Sequence, residues 1–366
     1  MDQLDEDYYD FEGNDNNSYN FSYEDYQTIC EKDDVRSFAR IFLPVMYGLS
    51  LVVGVAGNAL VVAVYAYTKH LRTLTDTFVV HLAVTDLLLL LTLPFWASVA
   101  GQGWELGQTL CKLVTALYTI NFTCGMLLLA CISLDRYLAL TPGLRDRGSL
   151  GKVFRKNHSA IICLVVWSIA LLLGIPDLVL SMVKEFPDRK ICMAVYPSEM
   201  AFQAKVTMEV LEVLLSFLVP LIIMVYCYSH VVSTLLKLPP EIREKKWKVV
   251  RVLLSIVLVF ILTQLPYNAM KFCRVLDLTH ALVTHCGVSK ALDRAAQVTE
   301  SLALTHCCLN PVLYVFIGTS FKQRIMKIAK ACGQRRRGPA AKREEEGVDI
   351  SFHTNSHSQE TSTFSI

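Results

Sequence analysis

"HLAVTDLLLLL", residues 81–91, sets one carboxylate, Asp86, inside a run of apolar side chains. In a soluble domain such a run would be a buried core helix, but the rest of the chain points elsewhere. Of 366 residues, 53% are hydrophobic and 19% charged, and mean hydropathy is +0.40. Soluble domains carry about a quarter charged residues, so the chain reads as a polytopic membrane protein with Asp86 in mid-span. Crossing a bilayer takes roughly 20 apolar residues. Segments of that kind lie near 41–67, 77–99, 110–134, 160–182, 207–236, 247–276 and 295–317. The expected fold is an all-α membrane protein, a seven-transmembrane helix bundle with a C-terminal amphipathic helix.

An odd number of spans puts the termini on opposite sides, and Lys plus Arg counts decide which. The segments 68–75, 135–157, 237–251 and 319–343 hold 2, 6, 6 and 9 basic residues, against 1, 3 and 2 in 100–112, 183–200 and 277–294. The N-terminus is therefore outside and the tail cytoplasmic. A net charge of +2 hides this asymmetry, for residues 1–34 hold twelve Asp or Glu and one Lys. No basic start precedes an apolar core, so no cleavable signal peptide is expected and the first span directs insertion. The parts are an acidic, tyrosine-rich extracellular segment (1–40), the bundle (41–317), the amphipathic helix (319–332) and a Ser/Thr-rich disordered tail (333–366). In "TSFKQRIMKIAKACGQRRR", residues 319–337, basic and apolar residues alternate at helical spacing, as in an interfacial helix. Cys332 near its end is a palmitoylation candidate.

An ionisable group inside a span costs about 2.5–3.5 kcal/mol on insertion scales and is a functional hypothesis by default. Asn58 in "GNALVV" and Asn310 in "LNPVLY" offer Asp86 polar partners at similar depth. The three suggest one internal polar cluster, either gluing helices or rearranging between two states. Pro94, Pro176, Pro220, Pro266 and Pro311 interrupt five spans. Each removes an intrahelical bond, which suits a bundle that bends.

Asn58, the LAxxD motif ending at Asp86, Asp135-Arg136-Tyr137, Trp167, Pro220 with Tyr228, Pro266, and Asn310-Pro311-Val312-Leu313-Tyr314 stand in the order of the rhodopsin-like G-protein-coupled receptors. The chain resembles that family across all seven segments. Thr92-Leu93-Pro94 followed by Phe95-Trp96, the loop Trp104-Glu105-Leu106-Gly107, "DRYLAL" and "HCCLNP" are similar to chemokine receptors. The strings "TQLPYN", "KFCR", "QVTES" and "TSTFSI" look most like an atypical, scavenging member. The resemblance implies that Arg136 pairs with a neighbouring charge at rest and opens a cytoplasmic cavity on release. It also implies that Tyr228 and Tyr314 move inward to hold the open form.

Outside, the first 34 residues interleave carboxylates with Tyr8, Tyr9, Tyr19, Tyr23 and Tyr26. Such a segment has too little to bury to fold alone, but its field attracts a basic protein. Chemokines, which the resemblance implies as ligands, are small and basic, and tyrosines among carboxylates suit sulfation. Sequons at Asn16 and Asn20 are glycosylation candidates, whereas those at Asn121 and Asn157 fall within or below the membrane. Twelve cysteines are scattered, and four of them, Cys30, Cys111, Cys192 and Cys286, are placed outside, allowing three connectivities. Family likeness pairs Cys111 with Cys192 and Cys30 with Cys286.

Glu300 in "VTESLAL" and the pair Glu209 and Glu212 lie in the outer halves of their spans, the pair three apart and on one face. A protonated chemokine amino terminus finds carboxylates there, unless Lys271 neutralises one of them. By resemblance Trp96, Tyr118, Tyr267 and Glu300 line the ligand pocket, and Glu212 joins them by position. No Ser/His/Asp set, zinc spacing or phosphate loop emerges, so neither catalysis nor a metal or cofactor is expected, and nucleic acid is not a partner.

The cytoplasmic side departs from the family. Typical chemokine receptors continue beyond "DRYLA" with Ile, Val and often His-Ala, where this chain has Leu140, Thr141, Pro142 and Gly143. Pro142 restricts Thr141 away from helical geometry, and Gly143 weakens a helix further, so the second inner loop is expected to be misshapen for a G protein. Gln264 stands where most rhodopsin-like receptors keep a tryptophan. In the tail, Ser351, Thr354, Ser356, Ser358, Thr361, Ser362, Thr363 and Ser365 are phosphorylation candidates for receptor kinases. The anionic patch they would build suits arrestin. Together these features read as a plasma-membrane receptor, cycling to endosomes, that binds CC chemokines, recruits arrestin and clears its ligand without productive G-protein signalling. A conventional receptor coupled to an inhibitory G protein is the alternative. A transporter or channel is a remote one, against which the absent internal repeats weigh.

Overall fold

The computed structural model describes residues 30–68, 74–141, 158–186, 189–197, 199–280, 285–317 and 325–326. The tyrosines and sequons of the N-terminal segment, Asn157, Pro142, Gly143, Cys332 and the eight tail hydroxyls lie outside them. So does most of the 319–332 helix, and so does the side chain of Tyr314.

The described helices are α1 (Asp33–Thr68), α2 (Leu74–Leu90), α3 (Leu93–Gln102), α4 (Gly107–Leu140), α5 (Ser159–Leu180), α6 (Ala201–Val213), α7 (Val219–Leu236), α8 (Pro240–His280), α9 (Cys286–Leu304) and α10 (His306–Ile317). They form seven rods, because α2–α3, α6–α7 and α9–α10 are each one span with a local break. Five of the rods are long and apolar enough to cross a membrane. The seventh is amphipathic in its outer half, where α9 carries Lys290, Asp293, Arg294 and Glu300.

The breaks have local causes. Pro94 lacks an N–H, so the second rod loosens at Leu91 and Thr92, and the Thr92 hydroxyl takes up the Leu89 carbonyl at 2.7 Å. Ahead of Pro220, Leu214–Leu218 widens into a π-turn in which the Val219 N–H reaches back to the Leu214 carbonyl. The third rod, α4, is the hub, packing against α2, α5 and α7. Gly174 of α5 lets that rod approach Ile120, whose side chain any Cβ at 174 would strike. Phe78, Leu82, Met126, Leu128 and Met224 fill the middle, while Ile41, Leu172, Leu258 and Leu262 stay exposed on the outside, where lipid is their solvent. Because lipid tails are as apolar as leucine, close packing and interhelical hydrogen bonds hold such a bundle together.

Two stretches read as loops are ordered. From the last residues of the expected fourth span into 183–200, β1 (Ser181–Phe186) pairs antiparallel with β2 (Arg189–Ala194), and Val183 lies opposite Cys192. Gln108 secures this hairpin to α4, its amide donating to the Ser181 carbonyl and its carbonyl accepting from the Val183 N–H, both at 2.9 Å. At the inner side, α8 begins at Pro240, a tolerated position in a first helical turn, so the span continues into the region counted as loop.

Candidate functional site

The outer ends of the rods are tied by the disulfides Cys111–Cys192 and Cys30–Cys286, the pairing that the resemblance implied. Trp104, fully buried beside Cys111, donates its indole N–H to the Gly107 carbonyl at 2.9 Å and its backbone N–H to Lys190 at 2.8 Å. Gly103 makes the turn at φ 83°, where the Lys190 carbonyl leaves little room for a side chain. The Glu185 carboxylate, 3.2 Å away, and Glu105 behind it hold the Lys190 ammonium above the ordinary lysine pKa. Around the second disulfide, Lys32 and Arg274 both reach Asp293, at 2.6 and 3.0 Å, and Lys290 and Arg294 reach Asp34 at 3.3 and 2.5 Å. Each exposed pair contributes little alone, about 0–1 kcal/mol. Their use is positional, since they fix Lys32 and the first turn of α1, together with the outer end of α8, against α9.

Inside this frame lies a cavity of about 470 Å³ whose wall includes Lys32, Tyr47, Trp96, Arg189, Arg274 and Glu300. A smaller one of about 130 Å³ adjoins it, lined by Glu209, Tyr267, Lys271 and again Arg274 and Glu300. Glu300 thus stands where the two meet, and the Tyr118 hydroxyl donates to it at 3.3 Å. Trp96, Tyr118, Phe122 and Tyr267 follow one another with ring centroids 6.1–6.2 Å apart, a spacing at which aromatic rings attract. The indole N–H of Trp96 has no partner among the described residues, a donor left for an incoming acceptor.

Of the sequence-derived pocket residues, Trp96, Tyr118, Tyr267 and Glu300 therefore come together. Glu212 is held differently: it pairs with Lys271 at 2.6 Å, and that ammonium stands 5.2 Å from the Tyr267 ring centre. The neutralised glutamate is thus Glu212, while Glu209 faces the smaller cavity. Sequence reasoning missed Tyr47 and the cations Arg189 and Arg274, which sit in loops or at span ends where charge is ordinary. It also missed Asp177, which accepts from Thr119 at 2.5 Å, although a carboxylate next to Pro176 in an apolar run was a visible signal.

Deeper, Asn310 donates to Asp86 at 3.0 Å, as the polar-cluster reading expected. Asn58 joins by another route, donating to the Gly54 and Cys307 carbonyls at 3.0 and 2.9 Å. Near the inner end Arg136 pairs with Asp135 at 3.1 Å, and both bond to Thr75, a partner that the sequence did not single out. Tyr228 donates to Ser133 at 3.0 Å. Pro266 lies within α8 and Pro311 within α10, whose side chain packs close to Gly57. The third rod ends at Leu140, and Thr141 is extended, with φ −99° and ψ 108°, as a residue before proline should be.

Residues 57–314 match the model of the 7 transmembrane receptor (rhodopsin family). Over 360 residues the chain is 46% identical to Atypical chemokine receptor 4 of Homo sapiens, covering 98% of this chain and 97% of that protein. It is 38% identical to C-C chemokine receptor type 9 of Homo sapiens (86% and 83% covered) and 39% identical to C-C chemokine receptor type 7 of Homo sapiens (84% and 80%).

Proposed function

Since the chain belongs to the chemokine receptors of the rhodopsin family, a multi-pass membrane protein and not an enzyme, we propose that it captures basic CC chemokines and clears them by arrestin-linked endocytosis without productive G-protein signalling. The observation that carries this reading is its 46% identity, over nearly the whole of both chains, to a receptor named atypical. The outer half supports the capture step. Glu300 and Glu209 line adjoining cavities that a chemokine amino terminus can enter, and the acidic N-terminal segment meets the chemokine's basic body first. Charge complementarity of this kind raises the encounter rate and falls with salt.

The inner half supports the silent part. The Arg136 switch is intact, so the fault is assigned to the chain after it, where Thr141 leaves the helix ahead of Pro142 and Gly143. A conventional receptor coupled to an inhibitory G protein remains the second reading, favoured by that intact switch and by the similarity to C-C chemokine receptors types 7 and 9. Cells expressing the chain, incubated with labelled CC chemokines, are expected to deplete them from the medium and accumulate them in endosomes. Calcium release or cyclic AMP suppression on the same addition would select the second reading.

A further inference from the structure

The rim of the larger cavity carries charge to which the capture of an amine gives no task. The Cys30–Cys286 disulfide holds Lys32 over α9, where its ammonium meets Asp293 Oδ2 at 2.6 Å. Arg274, from the outer end of α8, brings its Nη2 to Asp293 Oδ1 at 3.0 Å. Two cations thus share one carboxylate, and the set keeps one positive charge in excess. All three side chains line the cavity that reaches Glu300.

Donors are left over as well. A guanidinium offers five N–H bonds and an ammonium three. Among the described residues Arg274 and Lys32 engage only Asp293. In the same cavity wall, the Trp96 indole N–H and Gln297 Oε1 are buried without a partner among the described residues. An inorganic anion would satisfy the donor alone. A peptide segment brings both a carbonyl for Trp96 and an N–H for Gln297.

We propose that this rim selects ligands with an aspartate or glutamate among the residues that follow the amino terminus, and that Arg274 and Lys32 are the side chains that read it. The proposal rests on the reading of the chain as a receptor whose cavities admit a chemokine amino terminus. The ligand's ammonium goes to Glu300. Arg274, which like Glu300 borders both cavities, presents the rest of its planar fork to the carboxylate that follows. A lysine or arginine at that ligand position meets the excess positive charge and is rejected. The receptor then uses opposite signs for the two parts of its ligand: carboxylates of the N-terminal segment for the basic body, cations of the rim for an acidic start.

One synthetic CC chemokine, fluorescently labelled at its C-terminus, tests this on cells expressing the full chain. Its second, third and fourth residues are set to alanine, and each is then changed singly to aspartate, asparagine or lysine. At one of these positions aspartate should bind about 10-fold tighter than alanine or asparagine, the low end for a charge-assisted hydrogen bond because the rim is partly exposed. Lysine there should bind more weakly than alanine. This series needs no receptor variant. Arg274→Met should then cut the aspartate preference, and Arg274→Met combined with Lys32→Met should erase it. Only the ratio between ligands at equal surface expression is read, so a general loss of fold does not imitate the result. Equal affinity for aspartate and asparagine at every position, or a preference that survives in the double variant, would overturn the proposal and leave chemokine capture standing. Binding of none of the analogues would remove the capture reading, and the proposal with it.

Discussion

The outer and inner halves of the bundle use charge in opposite ways. Outside, Lys32 with Asp293, Arg294 with Asp34 and Lys271 with Glu212 join elements far apart in the chain, and Glu300 is left at the meeting point of two cavities. Inside, Asp135 bonds to its own neighbour Arg136, with Thr75 of the adjoining rod closing the set, and Tyr228 bonds to Ser133. Outer charges thus bridge separate elements around the cavities. Inner polar groups bond among themselves, within α2, α4 and α7.

Breaking the outer frame should have the largest effect. Cys111→Ser removes the tie between α4 and the hairpin, and we expect a loss of about 2–4 kcal/mol of stability, read as a lower unfolding temperature and absent chemokine binding. Glu300→Gln keeps the shape but not the charge. A charge-assisted hydrogen bond contributes about 1.5–3 kcal/mol, so chemokine affinity should fall roughly 10–100-fold with surface expression unchanged; unaltered affinity would remove Glu300 from the site. Lys271→Met leaves Glu212 without its partner and should cost about 1–3 kcal/mol of thermal stability. Raising salt from low to physiological ionic strength should slow chemokine association more than dissociation, and a salt-independent on-rate would contradict the role of the acidic segment. Smallest should be Thr75→Val, which loosens the inner lock by about 1 kcal/mol and leaves uptake affinity within measurement error. If it changes affinity as much as Glu300→Gln does, the two halves are not separable.

Where polarity sat inside an apolar run, the sequence was readable. Asp86 and Asn310 stood out because membrane interiors rarely hold such groups, and they meet. The seven spans were legible from length and hydropathy, although the helices run past the membrane limits into 33–40 and 240–246. The hairpin at 181–194 was not legible, because its strands are short, poorly buried and ordered by Cys111 and Gln108 from another rod. Thr75 looked like any residue at a helix start, and its role exists only through the packing of α2 on α4. Lys271 was read as a counter-charge to Glu209 or Glu300, with Glu212 given to the ligand pocket, but the turn of α6 brings Glu212 to it instead.

If the silent coupling lies just after the switch, Leu140→Ile, Thr141→Val, Pro142→His and Gly143→Ala together should restore some G-protein activation without altering uptake; unchanged silence would place the fault elsewhere. The central claim is tested most directly by recording arrestin recruitment and G-protein heterotrimer dissociation in the same cells as CC chemokine is added. We predict that arrestin is recruited and chemokine disappears from the medium while the heterotrimer stays intact. Dissociation at the chemokine concentrations that drive uptake would contradict the account.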